Sequence, residues 1–125
     1  TNAPTRTIEL MEKSLNGVGV LGINGKTTSE SEPFDVKVND TEVWVLTNST
    51  PYDHPFHLHG FFFQVLDSDG ITPAVREWKD TIIVGPKQRI RVAIHFDNRP
   101  GMWMFHCHIL DHADLGMMAM FHVLP

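Results

Sequence analysis

The sequence predicts an all-β fold, a Greek-key β-sandwich, and three observations carry that prediction. Short apolar runs recur with turn signals about every ten residues along the chain, the spacing of a many-stranded sandwich. Ile90, Val92, Ile94 and Phe96 alternate with Arg91, Ala93 and His95, the period of a strand with one buried face. No segment keeps a helical period for more than about two turns.

In chain order, Thr1 to Thr5 reads as a polar arm. Arg6 to Lys13 and Val18 to Ile23 are short strands joined by a hairpin-type turn at Asn16-Gly17. Asn24-Gly25 turns again and Lys26 to Glu32 is a polar surface loop. Phe34, Val36 and Val38 alternate, Asn39-Asp40 turns, and Glu42 to Thr47 is rich in β-formers. His57 to Leu66, crowded with phenylalanine, is expected to be one strand, followed by a loop from Asp67 to Lys79. Thr81 to Val84 is a short apolar run that Gly85-Pro86 breaks. After the alternating segment, Asp97 to Gly101 turns and Met102 to His108 extends. Ile109 to Asp114 has room for one helical turn, and Leu115 to Val123 closes the chain.

At 125 residues the chain is read as a single domain, 1–125, with 1–5 as the arm. Ten Lys and Arg against fifteen Asp and Glu give a formal charge of −5, which argues against a nucleic-acid partner. No apolar run approaches the length of a membrane span. The one cysteine, Cys107, cannot form an intrachain disulfide, so it is either an inert thiol or a chemical group.

Its surroundings favour chemistry. Cys107 stands between His106 and His108; His112 follows it by five residues, and Met117 follows His112 by five. Two imidazoles and a thiolate with a weak axial thioether are the ligands of a blue-copper site. The second imidazole must come from elsewhere, and His54-Pro55-Phe56-His57-Leu58-His59-Gly60 is the obvious donor.

Strand alternation sorts these residues. Cys107 shares a face with Phe105 and Trp103, expected to be the core side, while His106 and His108 face outward with Met102 and Met104. His57 and His59 share one face and His54 falls on the other. His54 and His112 can thus join Cys107, while His57, His59, His106 and His108 gather on the far side. A peptide bond on either side of Cys107 separates the two environments, a span of roughly 10 Å.

These two stretches resemble the copper motifs in the C-terminal cupredoxin domain of laccase-like multicopper oxidases. Asn24-Gly25-Lys26, the Asn48 to Gly60 run, Trp78-Lys79-Asp80-Thr81 and Phe96-Asp97-Asn98 are similar to that domain as well. The resemblance implies a cupredoxin-like fold and a type 1 copper on His54, Cys107 and His112, with Met117 axial. It implies a trinuclear site in which His57 binds type 2 copper and His59, His106 and His108 bind the type 3 pair. Cys107, His106 and His108 would then carry electrons from a small reducing substrate to the site where dioxygen is reduced to water. The setting it implies is periplasmic or extracellular.

The sequence departs from the family in two ways. Two further His-x-His pairs, which the family's cluster takes from an N-terminal cupredoxin domain, are absent, and His95 and His122 are isolated. Ala113 stands where many bacterial members place a proton-delivering glutamate, with Asp111 and Asp114 as neighbours. The resemblance therefore implies a partner: another cupredoxin domain or chain, or further copies of this chain in a homo-oligomer. Other readings are an electron carrier with only the blue copper, or a protein that stores or delivers copper. A cupin-type site lacks its carboxylate, since Phe-Phe-Phe-Gln follows Gly60. His95 and His122 read as surface residues, Trp44 and Trp103 as core, and Met102, Met104, Met118 and Met120 as packing side chains.

Overall fold

The computed structural model of the chain describes residues 4–15, 18–24, 34–75, 77–107 and 118–125. Ten strands follow one another: β1 (Thr5–Leu15), β2 (Val18–Ile23), β3 (Phe34–Lys37), β4 (Thr41–Asn48), β5 (His54–Leu58), β6 (Phe63–Ser68), β7 (Thr81–Val84), β8 (Arg89–His95), β9 (Gly101–Cys107) and β10 (Met118–Leu124). They form two five-stranded sheets in the orders β2-β1-β4-β8-β6 and β3-β10-β9-β5-β7.

From β2 to β9 every connection carries the chain from one sheet to the other. That crossing makes both sheets mixed, because β1 pairs with β4 and β10 with β3 in parallel while the remaining ladders are antiparallel. The turns that redirect the chain include left-handed residues at Asn24 (φ 52°) and Asn39 (φ 64°), both in the Asn-Gly and Asn-Asp pairs read as turns.

The core lies between the sheets and is built by alternation. Trp44 and Leu46 on β4 and Ile90, Val92 and Ile94 on β8 face Phe56, Leu58, Phe105 and Phe121 from the other sheet. Trp44 sits at the centre, edge-on to Phe105 at 5.1 Å and to Phe121 at 5.7 Å. Its indole N–H donates to the buried carboxylate of Glu42, which also takes Arg6 Nε at 2.7 Å, so neither polar group is stranded in the interior.

The structure corrects several expectations. His57 to Leu66 is not one strand: β5 ends at Leu58 and β6 begins at Phe63, in the other sheet. Gly60, at φ +82°, makes the break, and Phe61 and Phe63 on its far side drop into the core. A strand also begins earlier, at His54. The arm ends sooner than expected, since Thr5 already pairs with Val43, and β6 runs on through Asp67 and Ser68. Met102 is 47% exposed rather than packed, and Trp103 is half-buried at the margin of the core. The Asn16-Gly17 turn, the Lys26 to Glu32 loop and the Ile109 to Asp114 turn lie outside the described residues.

Candidate metal centre

The site is organised by β5, which runs between β9 and β7. Along it the side chains alternate between buried and half-buried, with His54, Phe56 and Leu58 inside and Pro55 and His57 outside. His54 is completely buried. Across the ladder Phe56 lies opposite Cys107, His57 opposite His106 and Leu58 opposite Phe105. His59 extends the pairing beyond β5, its N–H donating to the Met104 carbonyl at 2.9 Å. Alternation thus puts His54 on the core face and His57, His59 and His106 on the outward face, as the spacing requires.

On the outward face the imidazoles gather closely. Ring centroids are 4.6 Å apart for His57 and His59, 4.9 Å for His59 and His106, and 5.5 Å for His57 and His106. His59 Nε2 and His106 Nε2 stand 2.8 Å apart. Without a metal, one of these nitrogens must carry the proton that binds it to the other. Among the described residues, no group of three or more His, Cys, Asp or Glu side chains is arranged to hold an ion.

His57 is oriented from behind. Its Nδ1 lies 3.0 Å from the Asp80 carbonyl and 2.9 Å from Thr81 Oγ1, while the Thr81 hydroxyl donates to Asp80 Oδ1 at 3.0 Å. A carbonyl oxygen can only accept, so Nδ1 carries the proton and Nε2 is the basic nitrogen of that ring. The Asp80 carboxylate itself is 3.9 Å from Nδ1.

His54 sits in a different network, inside the sandwich. Its Nε2 is 2.7 Å from Thr50 Oγ1, which is 2.7 Å from Asn48 Oδ1. The Asn48 amide is fixed on both sides: its nitrogen donates to the carbonyls of Tyr52 and Val84, and its oxygen takes the Thr50 N–H. Asn48, Thr50 and His54 are all buried, so this polar chain is satisfied internally.

Cys107 ends β9 and is placed by its register with Phe56. His108, His112 and Met117, and with them Asp111, Ala113 and Asp114, lie outside the described residues. His95 is exposed, its Nδ1 3.0 Å from Thr41 Oγ1, and half-exposed His122 has Asp35 3.9 Å away, so neither joins the cluster. The reading by motif missed Thr50, Asn48 and Thr81. Thr50 lay four residues before His54 in a stretch already singled out, but only the folded chain shows that its hydroxyl meets the ring.

The sequence matches the family described as "Multicopper oxidase" over residues 2–125. The chain belongs to the multicopper oxidase family. What it matches there is the family's C-terminal cupredoxin domain, and the two-sheet sandwich is that domain's fold. Multicopper oxidase MmcO of Mycobacterium tuberculosis is 42% identical over 95 residues, which are 76% of this chain and 18% of that protein. A laccase of Haloferax volcanii is 34% identical over 125 residues, covering 95% of this chain and 22% of the laccase. The crystal structure of McoA multicopper oxidase from Aquifex aeolicus superposes with a TM-score of 0.86 at 32% identity, over 99% of this chain and 30% of that one. The chain spans about a fifth of the length of these curated relatives. Copper is the metal this family implies, and the imidazoles in place are of the right chemistry for it.

Proposed function

We propose that the chain is the copper-bearing C-terminal domain of a laccase-like oxidase, with a type 1 copper site inside the sandwich and part of a trinuclear copper site on its outer face. One observation carries this reading: three imidazoles converge on the outward face of β5 and β9 while His54 is buried on the opposite face. An electron carrier needs only the interior ligands and gives no reason for the outward group.

In this reading His54, Cys107 and His112 would hold type 1 copper, with the Met117 thioether as a fourth and weaker ligand. His57 belongs to type 2 copper, and His59, His106 and His108 to the type 3 pair. The closeness of their Nε2 atoms, 2.8 Å apart, is what supports His59 and His106 as the residues that would hold a metal together. Bound copper supplies one-electron and dioxygen chemistry. The protein's own part is positional. His54 is fully buried on the core face of β5, the face that also carries Phe56 and Leu58, so water is kept from it. Asp80 and Thr81 hold the proton of His57 on Nδ1, so that Nε2 is the nitrogen offered outward. Cys107 is joined through the main chain to His106 and His108, and that covalent link is the proposed electron route from the inner site to the outer one.

The outer site needs imidazoles this chain does not supply. The proposed partner is a second cupredoxin domain, in a longer chain or an assembly that includes copies of this one. Small reducing substrate and dioxygen complete the reaction, with water as product. Sedimentation and oxygen uptake on the copper-loaded chain with an electron donor test this. A monomer is expected to consume no oxygen until a cupredoxin domain carrying His-x-His pairs is added. A strictly monomeric sample that reduces oxygen to water would overturn the ligand count.

A further inference from the structure

We propose that Thr50 is a positioning residue whose hydroxyl, anchored by Asn48, holds His54 with its proton on Nε2 and so makes Nδ1 the nitrogen that meets copper. The inference rests on the reading of His54 as a type 1 ligand and goes beyond it, because it assigns the control of that ligand to a different residue.

Asn48 Oδ1 is an acceptor only, and the orientation of its amide is fixed because Nδ2 faces two carbonyls and Oδ1 faces the Thr50 N–H. An oxygen 2.7 Å from Asn48 Oδ1 must supply the proton between them, so the Thr50 hydroxyl donates to Asn48. A hydroxyl has one proton. The Tyr52 carbonyl, 3.2 Å from Oγ1, is a second and more distant acceptor for that same proton, so toward His54 Nε2 at 2.7 Å Thr50 Oγ1 can only accept, as it does from the Tyr52 N–H at 3.3 Å. His54 Nε2 is therefore the donor, and its basic lone pair is on Nδ1.

His57, three residues on and on the opposite face of β5, has the reverse arrangement, with its proton on Nδ1 held by the Asp80 carbonyl and Thr81. The strand thus offers one type of ring nitrogen inward and the other outward, each chosen by a threonine and a backbone or amide oxygen. Burial makes the choice at His54 firm, because no water reaches the ring to stabilise the other tautomer. A hydrogen bond of about 1 kcal/mol sustains roughly a fivefold preference between tautomers.

Long-range proton–nitrogen correlation NMR on the metal-free chain, above the pH at which histidine titrates, reads the tautomer directly. Wild-type His54 should carry its proton on Nε2; a proton on Nδ1 overturns the proposal without any variant. Thr50→Val should lower the Nε2–H to Nδ1–H ratio by about fivefold or more, and Thr50→Ser should restore it. An unchanged ratio in Thr50→Val, with the fold retained by circular dichroism, also overturns it. Should Thr50→Val fail to fold, Thr50→Ala takes its place. Copper loading then separates the two readings. A wild-type chain that shows the tautomer but no thiolate-to-copper absorption sinks the type 1 assignment alone. A blue wild-type chain whose band is weakened in Thr50→Val and recovered in Thr50→Ser supports both.

Discussion

Gly60→Ala should damage the fold and the outer site together, for a reason visible at one residue. Gly60 adopts φ +82°, and a Cβ built there would overlap Cε3 of Trp103, standing 2.5 Å from its Cζ3 and 3.0 Å from its Cδ2. The left-handed backbone costs an alanine about 1–2 kcal/mol. Displacing the ring adds about 1–3 kcal/mol of overpacking. The ring cannot simply swing away, because its N–H donates to the Arg99 carbonyl at 3.1 Å and its face meets Phe61 edge-on at 5.3 Å. The expected loss is about 2–5 kcal/mol, a large part of the roughly 5–15 kcal/mol by which domains are stable. Urea denaturation of Gly60→Ala, Trp103→Leu and the double variant measures it. Removing the ring relieves the overlap but not the backbone cost, so the double variant should be less destabilised than the sum of the singles by about 1–3 kcal/mol. Losses that add within about 0.5 kcal/mol would refute the steric reasoning. A loss below about 1 kcal/mol in Gly60→Ala would refute the conformational part as well.

Met117→Leu should keep the blue absorption and raise the reduction potential, because a long, weak thioether tunes a copper it does not anchor; a colourless protein or a lower potential counts against that role. Acid sensitivity should centre on Asp67, whose carboxyl is held below the usual value of 3.8 first by its hydrogen bonds to the Arg91 guanidinium and then by the charges of Arg91 and Arg89, against the opposing pull of burial. A lowered folded-state value means the unfolded chain takes up the proton first as pH falls. The stability from this pair is therefore complete above about pH 4 to 5 and is lost as pH falls from there through the folded-state value. Arg91→Leu should lower stability at neutral pH and flatten this stretch of the pH curve in denaturant titrations; an unchanged slope would show that other carboxylates govern it. Phe105→Ala, which empties a fully buried site against Trp44 and Phe56, should cost about 3–5 kcal/mol by the same titration. A cost under about 1 kcal/mol would mean the aromatic core around Trp44 and Phe56 is not tightly packed.

Periodicity made most of the strands legible, and the division of the histidines followed from it. Ile90 to Phe96 alternates because β8 has one face on the core, and His54 and His57 diverge because three is an odd number of steps along β5. The break between β5 and β6 was hidden for a physical reason. His57 to Leu66 is rich in phenylalanine and other strand-favouring residues, so composition favours a continuous strand, and one glycine, Gly60, decides otherwise by turning the chain into the second sheet. The networks behind the ligands were hidden because they are assembled at long range. Asn48 reaches the carbonyl of Val84 and His57 reaches Asp80 and Thr81, partners that the pairing of β5 with β7 brings together and no local pattern announces. Met102 was readable in two ways, as packing or as an outward apolar residue. Its exposure on the strand that carries His106 settles it as outward.

The central claim is that opposite faces of one strand serve two copper environments, and visible absorption of copper-loaded variants tests it most directly. A His57→Ala/His106→Ala double variant should remain as blue as the wild-type chain, while Cys107→Ser should be colourless, both with native circular dichroism. A colourless histidine variant, or a cysteine variant that stays blue, would contradict the account.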